Sequence, residues 1–203
     1  MNKVIHWLGH AAVKITGEVI IYVDPYEISG GEKADIILIT HDHYDHLSKD
    51  DLDKIVGDDT VIVIPASCRN RLDDPVKTIS PGESLTVKGV TIQAVPAYNI
   101  GKAFHPKENA YVGYVFSTGG VSYYHAGDSD YIPEMKTVKA DVAFLPVGGT
   151  YTMNAEEAAQ AAADIKPDLA IPIHWGSIVG SRAEAEKFRD LCFCQVNILE
   201  PES

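Results

Sequence analysis

The chain has 203 residues, of which 45% are hydrophobic and 23% charged, and this composition is typical of a single globular domain, spanning residues 1–203, with a large apolar core. Lysine and arginine total 17 against 29 aspartates and glutamates, and the formal net charge of −12 argues against a nucleic-acid partner. No apolar run approaches the roughly 20 residues of a membrane helix, the N-terminus lacks a secretory signal, and the 3 cysteines fit free thiols in a reducing cytoplasm.

The first strands of the chain end in polar residues. Residues 3–8 are predicted to form a strand that ends at His10, and residues 12–15 and 19–23 a hairpin whose second arm ends at Asp24. An aspartate after an apolar strand is either a turn former or the hydrogen-bond partner of a histidine that binds metal. Spacing alone favours neither role for Asp24.

A polar loop rich in histidine follows the next strand. Residues 35–39 are almost entirely apolar, which predicts a buried strand, and residues 40–48, here called the histidine loop, come directly after it. Open α/β folds place chemistry on loops at the carboxyl ends of strands. This loop holds three histidines and two aspartates within six residues, so it is the first candidate for a functional site.

The histidine loop has the ligand types and the spacing of a site for two metal ions. His41 and His43 alternate, so a tight loop can turn both toward one ion, while the adjacent Asp45 and His46 can reach a second ion beside it. Two ions roughly 3.5–4 Å apart can hold one water between them and lower its pKa. We therefore expect two divalent cations; zinc is the first choice, and manganese or iron suits the same ligands.

The middle of the chain predicts one short helix and four short strands. Ser48 is a good N-cap for a helix over residues 49–56, which Gly57 ends. The strands are predicted at residues 61–64, 76–79, 85–87 and 90–95.

Residues 96–107 have no clean period and predict a long loop, which in a compact domain is often functional. The following residues of this loop are candidates for contact with an anionic substrate: Tyr98, Asn99, Lys102, His105 and Lys107. A solvated surface loop explains each of these residues equally well when it is taken singly.

A second acidic turn follows a hairpin predicted at residues 111–116 and 121–125. Asp128 in this turn is the natural bridging ligand, because one carboxylate can offer an oxygen to each of two cations. His125 stands three residues earlier, and strand alternation puts it on the opposite face. We therefore predict that His125 packs in the core or supports a ligand.

The last third of the chain predicts strands at 142–145, 169–173 and 196–199. Capping boxes that begin at Asn154 and Ser181 predict helices to about Ile165 and Leu191. His174 directly follows the strand at 169–173 and is the expected last histidine ligand.

The chain resembles the metallo-β-lactamase fold superfamily from its first strand to its last helix. The residues that carry the resemblance are Asp24, His41, His43, Asp45, His46, Asp128 in Gly-Asp-Ser and His174 in Pro-Ile-His-Trp-Gly. The opening Trp7-Leu8-Gly9-His10 is similar to the branch that contains ascorbate-6-phosphate lactonase and metal-dependent hydrolases of bacteria and archaea.

The resemblance implies an α/β (α+β) fold, a four-layer αββα sandwich with the metals at one edge of the sheets. It implies that His41 and His43 hold the first ion. It implies Asp45, His46 and His174 on the second ion, with Asp128 between the two. Three residues are predicted to support the ligands from behind: His10, Asp24 and His125.

The chain departs from the superfamily pattern at one ligand. The superfamily usually supplies a further histidine from the loop after the middle hairpin, and this chain has Ala97-Tyr98-Asn99 there. Either His105, six residues later, or Asn99 itself can fill the position.

These motifs predict a hydrolase in which a metal-bridging hydroxide attacks a small, anionic ester, lactone or phosphoester. Asp128 would bridge the ions and Asp45 would orient the nucleophile or carry protons, while Lys102 or Lys107 would hold the anion. The expected partner is a small-molecule substrate, and a homo-oligomer is compatible with the sequence.

Two alternatives stay open at this point. A phosphodiesterase acting on lipid or nucleotide fragments would need a hydrophobic mouth, which Tyr98, Phe104 and Tyr151 can line. A non-catalytic metal-binding domain is favoured by the missing histidine at Asn99. The number of bound ions separates these classes, because near two ions per chain supports hydrolysis and one or none supports the non-catalytic domain.

Overall fold

Two β-sheets pack face to face in this protein, with helices against their outer faces. The structure, a computed structural model, describes residues 4–73 and 75–202. Its layers are helix, sheet, sheet and helix, so the predicted αββα sandwich is confirmed. The predicted first strand began at Lys3, which lies outside the described residues. None of the helices in the described ranges has the length and apolar character that a membrane span requires.

The first sheet has the strand order β1-β2-β3-β4-β5-β6. Its strands are β1 (Ile5–Gly9), β2 (Ala12–Ile15), β3 (Ile21–Val23), β4 (Ile36–Leu38), β5 (Val61–Pro65) and β6 (Lys77–Ile79). The first three strands pair antiparallel, and β3 to β6 pair parallel. The carboxyl ends of β3 and β4 therefore lie side by side, which places Asp24 next to the histidine loop.

The second sheet has the strand order β13-β12-β11-β10-β9-β8-β7. Its strands are β7 (Ser84–Val87), β8 (Val90–Pro96), β9 (Val112–Thr118), β10 (Val121–His125), β11 (Val142–Pro146), β12 (Leu169–Ile173) and β13 (Gln195–Val196). Strands β10 to β13 are parallel, so the chain leaves β10 and β12 at the same edge of the sheet. Asp128 and His174 follow these two strands.

The last strand is shorter than predicted. The sequence predicts a strand over residues 196–199, whereas β13 covers only Gln195–Val196. The backbone N–H of Asn197 still donates to the carbonyl of Ala170, and the chain then crosses to the first sheet, where the N–H of Glu202 donates to the carbonyl of Trp7. The apolar residues of this segment therefore fill the edge of the sandwich and do not extend the ladder.

Strand β4 is buried on both faces, which explains its continuous apolar sequence. Ile36 and Leu38 belong to the core between the two sheets. Ile37 and Ile39 belong to a second core that includes Leu52 of the first helix. Because side chains of a strand alternate between its faces, a strand that lies between two cores must be apolar at every position.

The three α-helices begin at the predicted caps. They are α1 (Lys49–Ile55), α2 (Ala155–Ile165) and α3 (Arg182–Leu191), and short 3₁₀ helices occupy Ala66–Arg71, Lys107–Asn109 and Pro133–Thr137. Ser48 accepts a hydrogen bond from the N–H of Asp51 at the start of α1. Asn154 and Ser181 head complete capping boxes for α2 and α3, so both predictions are confirmed. The buried alanines of α2 let it pack closely on the second sheet.

Candidate metal centre

The histidine loop is fixed to the strand beside it by Asp24. One carboxylate oxygen of Asp24 accepts from the N–H of Thr40 at 2.8 Å, and the other accepts from the Thr40 hydroxyl at 2.6 Å and from Nδ1 of His46 at 2.8 Å. Asp24 therefore lies directly behind His46, a predicted ligand. This position corresponds to the second role considered for Asp24, that of hydrogen-bond partner of a histidine that binds metal. This bond leaves Nε2 of His46 directed toward the cluster.

Three histidines converge at one side of the cluster. Nε2 of His41 lies 3.1 Å from Nδ1 of His43, which in turn lies 3.2 Å from Nε2 of His105. One ring nitrogen from each residue falls within a sphere small enough for a single ion. His105 therefore joins His41 and His43 in this group, although the sequence has no histidine at Asn99.

A second group of ligand atoms lies beside the first. It contains Asp45, His46 and His174, together with His10. Asp128 stands between the two groups, with Oδ1 at 3.2 Å from Nε2 of His46 and Oδ2 at 3.0 Å from Nε2 of His174. The same Oδ2 is 3.4 Å from Nε2 of His105 in the first group. Side chains that are far apart in the sequence therefore meet around one carboxylate.

The buried polar atoms of this cluster fit a metal site. Nε2 of His46, Nε2 of His174 and Oδ1 of Asp128 are buried and have no hydrogen-bond partner among the described residues, although they lie close together. Their distances are short, but their angles are not those of hydrogen bonds. Leaving such groups unpaired is unfavourable by about 1–3 kcal/mol each, and a cation among them would satisfy all three.

The protonation states of Asp128, His41 and His105 suit a metal, whereas at His46 the carboxylates of Asp128 and Asp24 outweigh burial and raise the pKa well above its ordinary value. Burial raises the pKa of a carboxyl group, but His174 and His46 outweigh it and hold the pKa of Asp128 well below its ordinary value. Burial lowers the pKa of His41 well below its ordinary value and that of His105 to about 4. At neutral pH Asp128 is therefore ionised and these two imidazoles are neutral, which are the forms that bind metal ions.

His10 supports the second group with both its side chain and its backbone. Its Nε2 lies 3.0 Å from Oδ2 of Asp45, and its carbonyl accepts from the N–H of His174 at 2.8 Å. His10 and His174 both have positive φ, +47° and +59°, in the left-handed region that non-glycine residues rarely occupy. The prediction that His10 lies behind a ligand thus matches its position.

His125 lies outside both groups. Its Nε2 bonds the carbonyl of Ala11 at 2.9 Å, and its Nδ1 accepts from the N–H of Gly127 at 3.2 Å. Burial lowers the pKa of this imidazole, so it is neutral at neutral pH. His125 therefore joins the first sheet to the turn that precedes Asp128, as a packed histidine.

Asn99 holds His105 and does not face the cavity. Its Oδ1 accepts from the backbone N–H and from Nδ1 of His105, both at 3.1 Å. Its Nδ2 donates to Oδ1 of Asp130 at 3.1 Å and to the carbonyl of Tyr151 at 2.9 Å. All of its polar atoms are thus engaged, so the structure does not place Asn99 where it was predicted, as a ligand or a substrate contact.

The two lysines predicted to hold an anion are engaged elsewhere. Nζ of Lys102 bonds Oδ1 of Asp130 at 2.6 Å and the carbonyl of Thr152 at 2.7 Å. Nζ of Lys107 bonds Glu134 at 3.0 Å and lies over the ring of Tyr98. Neither lysine lines the cavity at the cluster. Their carboxylate partners, Asp130 and Glu134, lie two and six residues past Asp128, and no sequence pattern distinguishes them from the other acidic residues of the chain.

An open cavity of about 290 Å³ gives access to the cluster. Its lining residues are His43, Tyr44, Asp45, Phe104, His105, Asp128, Tyr151 and Ile178. The sequence singles out Phe104 and Tyr151 as aromatic residues that can line a cavity mouth, but it gives no such indication for Tyr44 or Ile178. Ile178 carries no periodic signal because it lies in an irregular loop after His174.

Tyr111 forms a wall of the first group that the sequence did not reveal. Its ring centroid lies 5.1 Å from that of His41, and its hydroxyl donates to Oδ1 of Asp42 at 2.7 Å. Arg71 bonds the other oxygen of Asp42. Asp42, the first aspartate of the histidine loop, is thereby turned away from the ligands. Tyr111 immediately precedes β9, and the sequence predicts it only as the first residue of a strand.

Comparison with known proteins identifies the family. Residues 4–174 match the model of the beta-lactamase superfamily domain, which covers most of the chain. The chain belongs to the beta-lactamase superfamily. It is 33% identical to a UPF0173 metal-dependent hydrolase of Thermoplasma acidophilum, over 94% of this chain and 91% of that protein. It is 34% identical to another from Methanopyrus kandleri, over 91% of this chain and 89% of that protein.

Solved structures of the beta-lactamase superfamily have the same fold. A crystal structure of a Parabacteroides distasonis protein, described as a metal-dependent hydrolase, superposes with a TM-score of 0.88 at 33% identity. The alignment covers 98% of this chain and 93% of that one. The superfamily resemblance predicted from the strand-end motifs is therefore confirmed, and the chain is a member of the UPF0173 metal-dependent hydrolases.

Proposed function

We propose that this protein is a hydrolase that uses two divalent metal ions to cleave a small ester, lactone or phosphoester. The observation that carries the proposal is the position of Asp128. Its carboxylate lies within 3.4 Å of ring nitrogens from His46, His105 and His174, which come from three separate segments. A carboxylate between two groups of buried histidines is the ligand arrangement of a dinuclear site.

The proposed ligands divide between two ions. His41, His43 and His105 hold the first ion, and Asp45, His46 and His174 hold the second, with Asp128 between them. Such ions lower the pKa of a shared water and polarise the oxygen of a bound ester. We propose zinc, because imidazole nitrogen and carboxylate oxygen are its usual ligands alongside thiolate.

Asp45 is the residue that we assign to proton transfer. Burial is the largest influence and raises the pKa of Asp45, but the hydrogen bond with His10 and the charges of His46 and His10 together outweigh it and keep this pKa below its ordinary value. Its Oδ2 is held by Nε2 of His10, and its side chain lines the cavity. Asp45 is thus an ionised, oriented carboxylate that can accept a proton as the nucleophile attacks and return it to the leaving alcohol.

The apolar part of the cavity favours a second candidate, phosphodiester hydrolysis on lipid or nucleotide fragments. The rings of Phe104 and Tyr151 meet edge to face at the mouth, with centroids 4.7 Å apart. Tyr98, the third aromatic residue considered for this mouth, instead donates to Glu134 outside the cavity. The position of His105 weakens the case for a non-catalytic domain, because that case rested on a missing histidine.

The proposed partner is a small molecule, and the proposed compartment is the cytoplasm. All three cysteines are free thiols, which supports a reducing environment.

Replacing Asp128 tests the proposal. We expect Asp128→Ala to lower the bound zinc from two ions per chain and to abolish turnover of a panel of chromogenic esters, lactones and phosphodiesters. Zinc is measured by elemental analysis after gel filtration. Asp59→Ala removes an exposed aspartate in the turn after α1 and serves as the control, with metal content and turnover unchanged. Turnover that survives Asp128→Ala would show that the bridging role is wrong.

A further inference from the structure

We infer that the substrate carries an uncharged, apolar group next to its scissile bond, and that Tyr44, Phe104, Tyr151 and Ile178 bind this group. The inference rests on the proposed function, since it places the scissile bond at the metal cluster. It replaces the anionic substrate that the lysines of residues 96–107 suggested. The chemical class is therefore an ester or phosphoester with an aryl or short alkyl substituent.

The apolar residues of the mouth are exposed although most large apolar side chains of this fold are buried. Tyr44, Phe104 and Ile178 expose 66%, 46% and 38% of their surface, and all three line the same cavity. They come from three loops that are distant in sequence. A single exposed apolar residue needs no explanation, but a cluster beside a cavity marks a binding surface.

The apolar wall, formed by Tyr44, Phe104, Tyr151 and Ile178, is held in place before any ligand binds. The ring of Phe104 packs on that of Tyr151, and the ring of Tyr44 lies 5.9 Å from that of Tyr26, both edge to face. The carbonyl of Tyr151 also accepts from Nδ2 of Asn99, the residue that orients His105. Asn99 therefore supports both the apolar wall and the proposed metal ligand His105. An apolar wall that is already formed loses little conformational entropy when the substrate binds.

The charges of the cavity disfavour a second anionic group on the substrate. Among the described residues that line it there is no lysine and no arginine, whereas Asp45 and Asp128 contribute two carboxylates. In the neighbouring loop Lys102 is paired with Asp130 and Lys107 with Glu134. Two dications can accept one anionic or polarised group. A remote phosphate or carboxylate would find no cation among these side chains.

The cavity volume limits the size of the apolar group. An apolar cavity of about 150 Å³ holds a benzene molecule. The 290 Å³ found here thus has room for the reacting group and one aromatic ring, or an alkyl chain of comparable size. Burying each methylene should strengthen binding by up to about fourfold until the wall is covered.

In the reaction that follows, a hydroxide derived from water adds to the carbonyl carbon or to phosphorus. The bond from that atom to the leaving oxygen breaks, and the alcohol departs with the proton held by Asp45. The products are an acid and an alcohol, and no oxidant or further reactant is needed. The apolar group stays on the wall through this step, so it contributes to substrate binding.

Binding of three phosphonates to the zinc-loaded full chain tests the inference without requiring turnover. Methylphosphonate, phenylphosphonate and phosphonoacetate present the same metal-binding group with a small, an apolar and an anionic substituent. We expect phenylphosphonate to bind at least tenfold more tightly than methylphosphonate in isothermal titration calorimetry, and phosphonoacetate to bind no more tightly. Equal affinities, or the tightest binding by phosphonoacetate, would overturn the inference.

Substitutions in the apolar wall, compared with a control substitution elsewhere, test whether the wall causes the preference for phenylphosphonate. Phe104→Ser and Ile178→Ser should reduce the preference for phenylphosphonate over methylphosphonate to less than threefold, with zinc content unchanged. Phe193→Ser, which removes a phenylalanine that is 98% exposed and lies outside this cavity, should leave the preference intact. Two bound zinc ions without a phenyl preference would refute the apolar site alone, whereas a chain that binds no zinc would refute the proposed function and the inference together.

Discussion

Asn99 determines which nitrogen of His105 faces the metal cluster. The amide oxygen of Asn99 accepts from Nδ1 of His105, so the proton is on Nδ1 and the lone pair of Nε2 is directed toward Asp128 and His43. Asp130 fixes the amide in turn by accepting from its Nδ2. Metal-binding histidines commonly have a carboxylate or a carbonyl in this position. Here the side-chain amide of Asn99 orients His105, and the carboxylate of Asp130 holds that amide in turn.

Asn99→Ala should therefore weaken one of the two ions selectively. Removing an outer hydrogen-bond partner of a histidine ligand lowers metal affinity about 10–100-fold, and His46 and His174 do not depend on Asn99. We expect competitive titration with a chromogenic chelator to show one weakened zinc and one unchanged zinc per chain. Asn197→Ala, at an exposed asparagine near the end of the chain, is the control. Equal weakening of both ions would contradict this assignment.

Three of the seven non-glycine residues with positive φ in the described part of the chain lie around the proposed second ion. His10, Asp24 and His174 have φ values of +47°, +46° and +59°, and none of them is a glycine. A non-glycine residue in this region is unfavourable by about 1–2 kcal/mol. Each of the three is a proposed ligand or bonds a proposed ligand directly. Backbone strain of this kind persists where the surrounding structure over-determines a site, which agrees with a metal centre built on strand ends.

Helix α1 is attached to the preceding segment through the buried carboxylate of Asp51. Its two oxygens accept from the N–H groups of Glu27 and Ile28 at 2.9 and 3.1 Å, and Lys54 bonds it at 2.8 Å. Burial raises the pKa of Asp51, but these hydrogen bonds outweigh burial and hold the pKa below its ordinary value. The carboxylate thus links α1 to the chain that follows Asp24.

Asp51→Ala should lower the free energy of unfolding by about 2–3 kcal/mol at neutral pH, because it leaves two backbone donors without their charged acceptor. Since the pKa of Asp51 is lower in the folded state, its contribution is complete above the unfolded value of about 4 and disappears as the pH falls through the folded value. Urea unfolding between pH 7 and pH 3 measures the difference from wild type, which should shrink at low pH. Asp50→Ala, an exposed neighbour on the same helix, is the control; an equal loss there would refute the argument.

The residues that directly follow the strands are the part of the candidate site that the sequence predicts best. Asp24, His41, Asp128 and His174 each follow an apolar run within a few residues. Parallel strands leave a sheet at the same edge, so residues in these positions must converge if the runs are strands. The helix caps were equally predictable, because a capping box is a local pattern whose two hydrogen bonds join residues three apart.

The loop between β8 and β9 was the least predictable part of the site. Its conformation depends on Asp130, which accepts from Asn99, Lys102 and the backbone N–H of Ile100. These contacts join segments about thirty residues apart, and no periodicity records them. The sequence therefore predicts that Lys102 or Lys107 holds an anion, whereas the fold uses Lys102 to fix the loop that supplies His105.

The proposed metal centre lies where the two sheets meet, and its proposed ligands come from both of them. The histidine loop follows β4 of the first sheet, whereas Asp128 and His174 follow β10 and β12 of the second. Ions bound by both sets would join the sheets at this edge. Elsewhere the sheets are held by apolar contacts across the main core, which includes Val23, Phe116 and Phe144. Metal binding should therefore stabilise the whole sandwich as well as the loops.

Chelation should lower the melting temperature of this protein by a predictable amount. A ligand that binds only the folded state at a thousandfold excess over its Kd adds about 4 kcal/mol, and one kcal/mol corresponds to about 2–4 °C for a chain of this length. We thus expect zinc removal by EDTA to lower Tm by about 8–16 °C for a single tight site, and by more for two. The Asp128→Ala chain should melt near the metal-free temperature and respond little to EDTA, whereas Phe104→Ser should respond as wild type does. Calorimetry that gave the same Tm with and without EDTA would show that the ligands do not join the sheets through metal.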